Sequence, residues 1–226
     1  GQNGANPAMH SVSSPTQLPG SWSDNFCGGK ISVAVKANGT LWSWGYGTYG
    51  CLGLNEAPSV QRSSPTQVGT DTTWSSFTLG SFRTLATKTD GTLWIWGQNT
   101  YGGLGLNTGG NEYSSPTQIG TSTDWTTGDS TKLAIGNSGA AIKTDGTLWI
   151  WGGNQRGELG LNQYNPYPSD TGVSRGISSP AQIPGTWKSI RTENGPIAGL
   201  KTDGTLWTWG EPIAGILGLN DNVQRS

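Results

Sequence analysis

One histidine, one methionine, two cysteines and three phenylalanines are all that 226 residues contain of those types. With His10 as the only imidazole, a histidine-based nucleophilic triad or a zinc site is not expected. Charged residues make up 12% and the formal net charge is −1. No electrostatic field therefore favours nucleic acid or an anionic membrane. No apolar run approaches the roughly 20 residues of a membrane helix, so no membrane insertion is expected. The chain opens Gly1-Gln2-Asn3 with neither an initiator Met nor a signal peptide, which predicts a processed chain or a piece of a longer one. Nor is there a capped stretch with a 3.6-residue apolar period, so helices are not expected. Low Lys and Glu content beside abundant Ser, Thr, Asn, Gly and Trp points to an extracellular or virion-associated setting.

What the chain has instead is repetition. Four landmarks recur in one order. Ser-Ser-Pro-x-Gln places its proline at Pro15, Pro65, Pro116 and Pro180. A lone tryptophan follows at Trp22, Trp74, Trp125 and Trp187. Next comes "KTDGTLWIWG" or a close variant, ending at Gly45, Gly97, Gly152 and Gly210. Last is Gly-x-Leu-Gly-Leu-Asn, ending at Asn55, Asn107, Asn162 and Asn220. A period of this size is that of one propeller blade. The reading is a single repeat domain, 1–226, with repeats at 1–45, 46–97, 98–152 and 153–210 and a partial or closing segment at 211–226.

The long phrase predicts a hairpin. Asp90-Gly91 is a pair suited to a two-residue type I′ turn. Such a turn sets Lys88 opposite Leu93, Thr87 opposite Trp94 and Leu85 opposite Trp96. Along the outgoing strand Trp94 and Trp96 share one face, and Leu93 and Ile95 share the other. A strand apolar on both faces is covered on both sides, in a repeat protein by neighbouring repeats.

All twelve tryptophans stand at repeat landmarks. With so few other large apolar residues, they must supply the core. Each buried indole removes about 150–250 Å² from water. At about 25 cal/mol/Å² that is roughly 4–6 kcal/mol gross apiece, an upper bound. Exposing several would exhaust a net stability of about 5–15 kcal/mol. The paired tryptophans Trp42, Trp44, Trp94, Trp96, Trp149, Trp151, Trp207 and Trp209 are therefore read as core, and the lone ones as less firmly so.

The string Ser-Ser-Pro-x-Gln, Lys-Thr-Asp-Gly-Thr-Leu-Trp-x-Trp-Gly, Gly-x-Leu-Gly-Leu-Asn resembles the repeat of the regulator of chromosome condensation family, in its bacterial and phage branch, over nearly the whole chain. The resemblance implies an all-β propeller of four-stranded antiparallel blades, most often seven. Four repeats are fewer than that. The chain is then either a closed four-bladed ring or part of a larger one. Val223-Gln224-Arg225-Ser226 repeats Val60-Gln61-Arg62-Ser63, so the two ends could complete one shared blade. The family often places a histidine where this chain has Ile31, Arg83, Ser138 and Pro196. Its nucleotide-exchange activity is accordingly not carried over.

If strands are scaffold, loops bind. All six tyrosines, Tyr46, Tyr49, Tyr101, Tyr113, Tyr164 and Tyr167, lie between a Trp-Gly and the next Ser-Ser-Pro. With Arg175 in the long insertion 163–177 they are the candidate partner contacts, packing being the alternative for some. Cys27 and Cys51 are either a disulfide or two thiols. Counting outward from Asn38-Gly39 sets Cys27 opposite residue 50. An Asp-box is excluded because Gly91 follows Asp90 directly. No cofactor or metal is expected. The reading is a non-enzymatic module binding a protein partner, in a phage virion or a cell-surface assembly. The alternatives are a proteinaceous inhibitor, since a bacterial branch of the family clamps β-lactamases, then a lectin, and last a carbohydrate-active enzyme.

Overall fold

The structure, a computed structural model, describes residues 14–28, 30–108, 112–162, 176–192, 195–212 and 215–219. Among them, fifteen strands form four antiparallel sheets, each strand hydrogen-bonded to the next in its sheet. The first blade holds β1 (Trp22–Gly28), β2 (Ile31–Lys36), β3 (Leu41–Gly45) and β4 (Arg62–Gln67). The second holds β5 (Trp74–Leu79), β6 (Arg83–Lys88), β7 (Leu93–Gly97) and β8 (Tyr113–Gln118). The third holds β9 (Leu133–Ile135), β10 (Ser138–Ile142), β11 (Leu148–Gly153) and β12 (Gly176–Ile183). The fourth holds β13 (Trp187–Thr192), β14 (Ile197–Lys201) and β15 (Leu206–Trp209). A blade opens at or just after the lone tryptophan and ends with Ser-Ser-Pro-x-Gln, rather than at the Trp-Gly boundary that the repeats suggest. The first strands of successive blades touch one another, which puts them innermost.

The hairpin differs from expectation by one residue. Thr87 pairs with Leu93, Ala86 with Trp94 and Leu85 with Ile95. The Gly91 amide donates to the Lys88 carbonyl, and only Gly91 of the Asp-Gly pair has a positive φ, 79°. This is a type I turn closed by a left-handed glycine, the three-residue alternative to type I′. Asp90 selects it. Its carboxylate accepts from the Thr92 hydroxyl at 2.6 Å and the Thr92 amide at 3.0 Å, and the Thr92 hydroxyl accepts from Trp94 Nε1 at 2.7 Å. Those Thr92 bonds hold the Asp90 carboxyl below its ordinary value. Asn38, Asp145 and Asp203 make the same relay.

Both faces of the second and third blades are used. Val33, Val35 and Leu41 of the first blade pack against Trp74, Phe77, Ala86 and Trp96 of the second. Leu85, Leu93 and Ile95 of the second meet Leu133, Ala141 and Trp151 of the third. The third junction sets Ile142, Leu148 and Ile150 against Trp187, Ile190, Ile197 and Trp209 of the fourth.

The tryptophans divide by position. Trp96 and Trp151 are fully buried, and Trp209 nearly so. Trp74, Trp125 and Trp187, three of the lone ones, are also buried, each more completely than the first member of its blade's pair. Trp74 sits edge-on between Trp94 and Trp96, with centroids 6.1 and 5.8 Å away. Trp42, Trp44, Trp94 and Trp149 are partly buried, and Trp207 is 50% exposed. The reading of all eight paired tryptophans as core is corrected to that extent. The first of each pair lies at the hairpin end beneath a lysine: Lys36, Lys88, Lys143 and Lys201 stand 3.6, 3.7, 5.0 and 4.0 Å from the rings of Trp42, Trp94, Trp149 and Trp207. A cation held over an indole face gains from the ring's quadrupole while the ring stays partly wet.

Gly-x-Leu-Gly-Leu-Asn is the clamp between blades. The carbonyl of its second residue accepts the indole N–H of the next blade's Trp-Gly tryptophan. Trp96 donates to Cys51 at 2.9 Å, Trp151 to Gly103 at 3.1 Å and Trp209 to Glu158 at 2.9 Å. Its asparagine, left-handed at Asn55 and Asn107, donates its amide to the carbonyls of Ser114 and Ser178 on the next blade's outer strand.

Candidate functional site

Strand three of each blade leaves the sheet at Trp-Gly, and the glycine there is left-handed, with φ of 105° at Gly45 and 107° at Gly97. The next amide folds back on the loop before strand two: Tyr46 donates to the Lys30 carbonyl and Gln98 to that of Phe82. A short 3-10 turn follows, Thr48–Gly50 in the first blade and Thr100–Gly102 in the second. This succession of turns gathers the loops at one end of the blades, opposite the Asp-Gly hairpins.

Tyr46 and Tyr101 are exposed at this end. Tyr49 and Tyr101 both hold a left-handed backbone, with φ of 61° and 58°. Such a conformation is uncommon for a bulky residue and is maintained by its surroundings. Tyr49 meets Phe82 edge-on at 5.1 Å, and the Lys30 ammonium stands 4.7 Å from the same Phe82 ring. Lys30, Tyr46, Tyr49, Phe82 and Tyr101 thus line one end of the first two blades. Tyr113 does not join them. It is partly buried on β8, packs on the core between the second and third blades, and shares a hydrogen bond with Thr108. Tyr164, Tyr167 and Arg175 lie outside the described residues, as does His10.

Arg83 anchors this end. It is buried, and its guanidinium donates to the carbonyls of Gln98 at 2.5 Å, Gly136 at 2.5 Å and Thr100 at 3.1 Å. Burial pulls its pKa down to about 10, so it stays charged at neutral pH. Gly136 belongs to the third blade, so one side chain ties two blades and a loop together. In the sequence, position 83 stands out only as lacking a histidine. Farther along, Arg156 pairs with Glu211, and Glu158 accepts from the Arg156 amide at 2.7 Å. Burial raises the Glu158 carboxyl, against that hydrogen bond and the Arg156 charge.

The cysteine alternatives resolve on one side. Cys51 is a buried free thiol donating to the Tyr46 carbonyl, and burial pushes it up to about 11. Cys27 lies on β1 opposite Val33, not opposite residue 50, because β1 pairs with β2 outside the hairpin. Of the two alternatives, the thiol is the one seen at Cys51.

Four successive antiparallel sheets of this kind define a propeller-like repeat protein. Residues 38–87 and 90–141 match the Regulator of chromosome condensation (RCC1) repeat. Human HERC6, a probable E3 ubiquitin-protein ligase, is 27% identical over 88% of this chain and 19% of its own length. The Regulator of chromosome condensation of Xenopus laevis is 28% identical over 72% of this chain and 35% of its own. Arabidopsis thaliana RUG3, a mitochondrial RCC1 domain-containing protein, is 28% identical over 86% and 43%. The chain spans less than half of each. Saccharomyces cerevisiae Prp20p superposes with a TM-score of 0.78 at 18% identity, over 94% of this chain and 50% of that one. A second structure shows Prp20 bound to Kap60. These relatives are eukaryotic, so the likeness to a bacterial and phage branch rests on the repeat wording alone.

Proposed function

We propose that the chain is a non-enzymatic module that binds a protein partner through the Trp-Gly end of its blades. The observation that carries this is the row formed by Lys30, Tyr46, Tyr49, Phe82 and Tyr101. Tyrosine buries area at modest entropic cost and is enriched in protein-binding surfaces. Two of these tyrosines sit on turns fixed by strained backbone and by inter-blade contacts, so binding costs little further ordering. Prp20, which shares the fold, is itself seen bound to a protein, Kap60. The repeated carboxylates Asp90, Asp145 and Asp203 are committed to their threonines, a structural duty. The proposed setting outside the cell or on a particle rests on composition, since Cys51 is a thiol.

The test is affinity capture from the source organism's extract with wild type, Tyr46→Ala/Tyr101→Ala and Asp203→Ala, read by quantitative mass spectrometry. A bound protein is expected to fall at least about tenfold with the double tyrosine variant, equivalent to a loss of about 1.4 kcal/mol, and to be retained by Asp203→Ala at the opposite end. Equal capture by wild type and the tyrosine variant contradicts the reading. Large shifts of tryptophan emission on a glycan panel would favour the lectin instead.

A further inference from the structure

Asn38 is the odd member of the four hairpin turns. The other copies carry Asp90, Asp145 and Asp203 in its place, each followed by glycine. Asn38 nevertheless makes the aspartates' bonds. Its Oδ1 accepts from the Thr40 hydroxyl at 2.7 Å and the Thr40 amide at 3.2 Å, and the Thr40 hydroxyl accepts from Trp42 Nε1 at 2.9 Å. The three aspartates accept the same two donors at 2.6–2.7 Å and 2.9–3.0 Å. Asparagine before glycine is also the pair most open to attack on its own side chain, because no Cβ hinders the glycine nitrogen. Asn3-Gly4 and Asn194-Gly195 repeat the pair, but Asn3 and Asn194 lie outside the described residues.

We propose that Asn38 is a deamidation site that the folded turn holds in check, and that the blade accepts its aspartyl product as a fourth copy of its own turn. In the first step the Gly39 nitrogen gives its proton to hydroxide and bonds to Asn38 Cγ. The Cγ–Nδ2 bond breaks, and the nitrogen leaves as ammonia with a proton from water. A second water then opens the cyclic imide. Breaking the bond from Gly39 N to Cγ leaves aspartate in an ordinary chain. Breaking the bond from Gly39 N to the main-chain carbonyl carbon of residue 38 leaves isoaspartate, with one extra methylene in the main chain.

Two contacts oppose the first step. The Gly39 amide donates to the Lys36 carbonyl at 2.8 Å, which withholds its proton from base. The Asn38 carboxamide is pinned by both Thr40 donors, so Cγ does not turn freely onto the nitrogen. Two further features separate the products. Aspartate keeps the relay and makes its bonds charge-assisted, hence stronger. It also sets a carboxylate on the hairpin of Lys36, which has no carboxylate partner among the described residues, whereas Lys88 has Asp71 and Lys143 has Asp124. Isoaspartate has no such place. Gly39 has a φ of +78°, and a Cβ there would lie 1.9 Å from the Thr72 carbonyl oxygen in the loop that leads into the second blade. A main chain longer by a methylene has no room against that loop.

Peptide mapping by mass spectrometry after incubation at mildly alkaline pH tests this, with the full chain folded and in urea. Residue 38 is expected to deamidate at least about tenfold more slowly in the folded chain, because reaction then waits on local opening of the turn. Thr40→Ala is expected to raise the folded rate at residue 38 and leave the rate in urea unchanged, while Thr40→Ser behaves as wild type. Asn38→Asp is expected to unfold at or above the wild-type urea midpoint, and isoaspartyl material, separated by ion exchange, below it. Equal rates at residue 38 in the folded and unfolded chain overturn the proposal, and so does no reaction in either. An Asn38→Asp midpoint as low as that of the isoaspartyl form overturns it as well. The comparison of folded and unfolded wild type needs no variant, so a Thr40→Ala chain that fails to fold leaves the test intact.

Discussion

Trp96→Ala is expected to lower unfolding free energy by about 3–5 kcal/mol, the cost of emptying a fully buried aromatic site. That is a large share of a typical net stability of about 5–15 kcal/mol. Two losses combine. The indole leaves a cavity between the first and second blades, and the Cys51 carbonyl loses one of its two donors. Trp96→Phe separates them: it retains most of the apolar volume and is expected to cost about 0.5–1.5 kcal/mol for the one hydrogen bond lost, since the Thr84 hydroxyl still donates to the Cys51 carbonyl at 3.2 Å. Trp207→Ala, at a half-exposed ring of the same repeat position as Trp94, is expected to cost under about 1 kcal/mol. Urea unfolding of the three variants checks the order. If Trp96→Ala costs no more than Trp207→Ala, the indole does not hold the blades together.

Gly105→Ala acts on the junction between the second and third blades. Gly105 has a φ of +65°, and a Cβ there would lie 2.8 Å from Trp151 Cδ1. The left-handed backbone costs about 1–2 kcal/mol for an L-residue, and overpacking about 1–3 kcal/mol more. Gly69 has a nearly identical φ of +59° with nothing within 4 Å of its Cβ position. Gly69→Ala is therefore expected to show the backbone cost alone. The difference between the two midpoints in urea measures the contact with the indole. Equal losses would mean that the clamp yields without cost.

The repeat spelled out the architecture because its landmarks sit where blades need them: a lone tryptophan inside, a hairpin, an outer strand. The turn type was not legible from Asp-Gly, which serves two hairpins equally. Thr92 decides between them by bonding Asp90, and that contact needs the folded turn. The alternation of Leu93-Trp94-Ile95-Trp96 showed two apolar faces but not that they serve different neighbours. Nor could it show that Trp94 ends beneath a lysine while Trp96 ends beneath the preceding blade. Among the tyrosines, sequence placed Tyr46 and Tyr113 in one class of segment. Tyr113 pairs with Gly97 and packs on the core, which depends on where the outer strand begins. Arg83 gave almost no signal, since an arginine with no acidic partner nearby in sequence reads as surface. Its partners are carbonyls from two blades.

Hydrogen exchange of the indole Nε1–H groups, followed by nitrogen-15 NMR, tests the clamp most directly. Protons of Trp96, Trp151 and Trp209, each held by a carbonyl of the preceding blade, are expected to exchange slowly, and that of Trp207 rapidly. Exchange of the first three as fast as Trp207 would contradict the account.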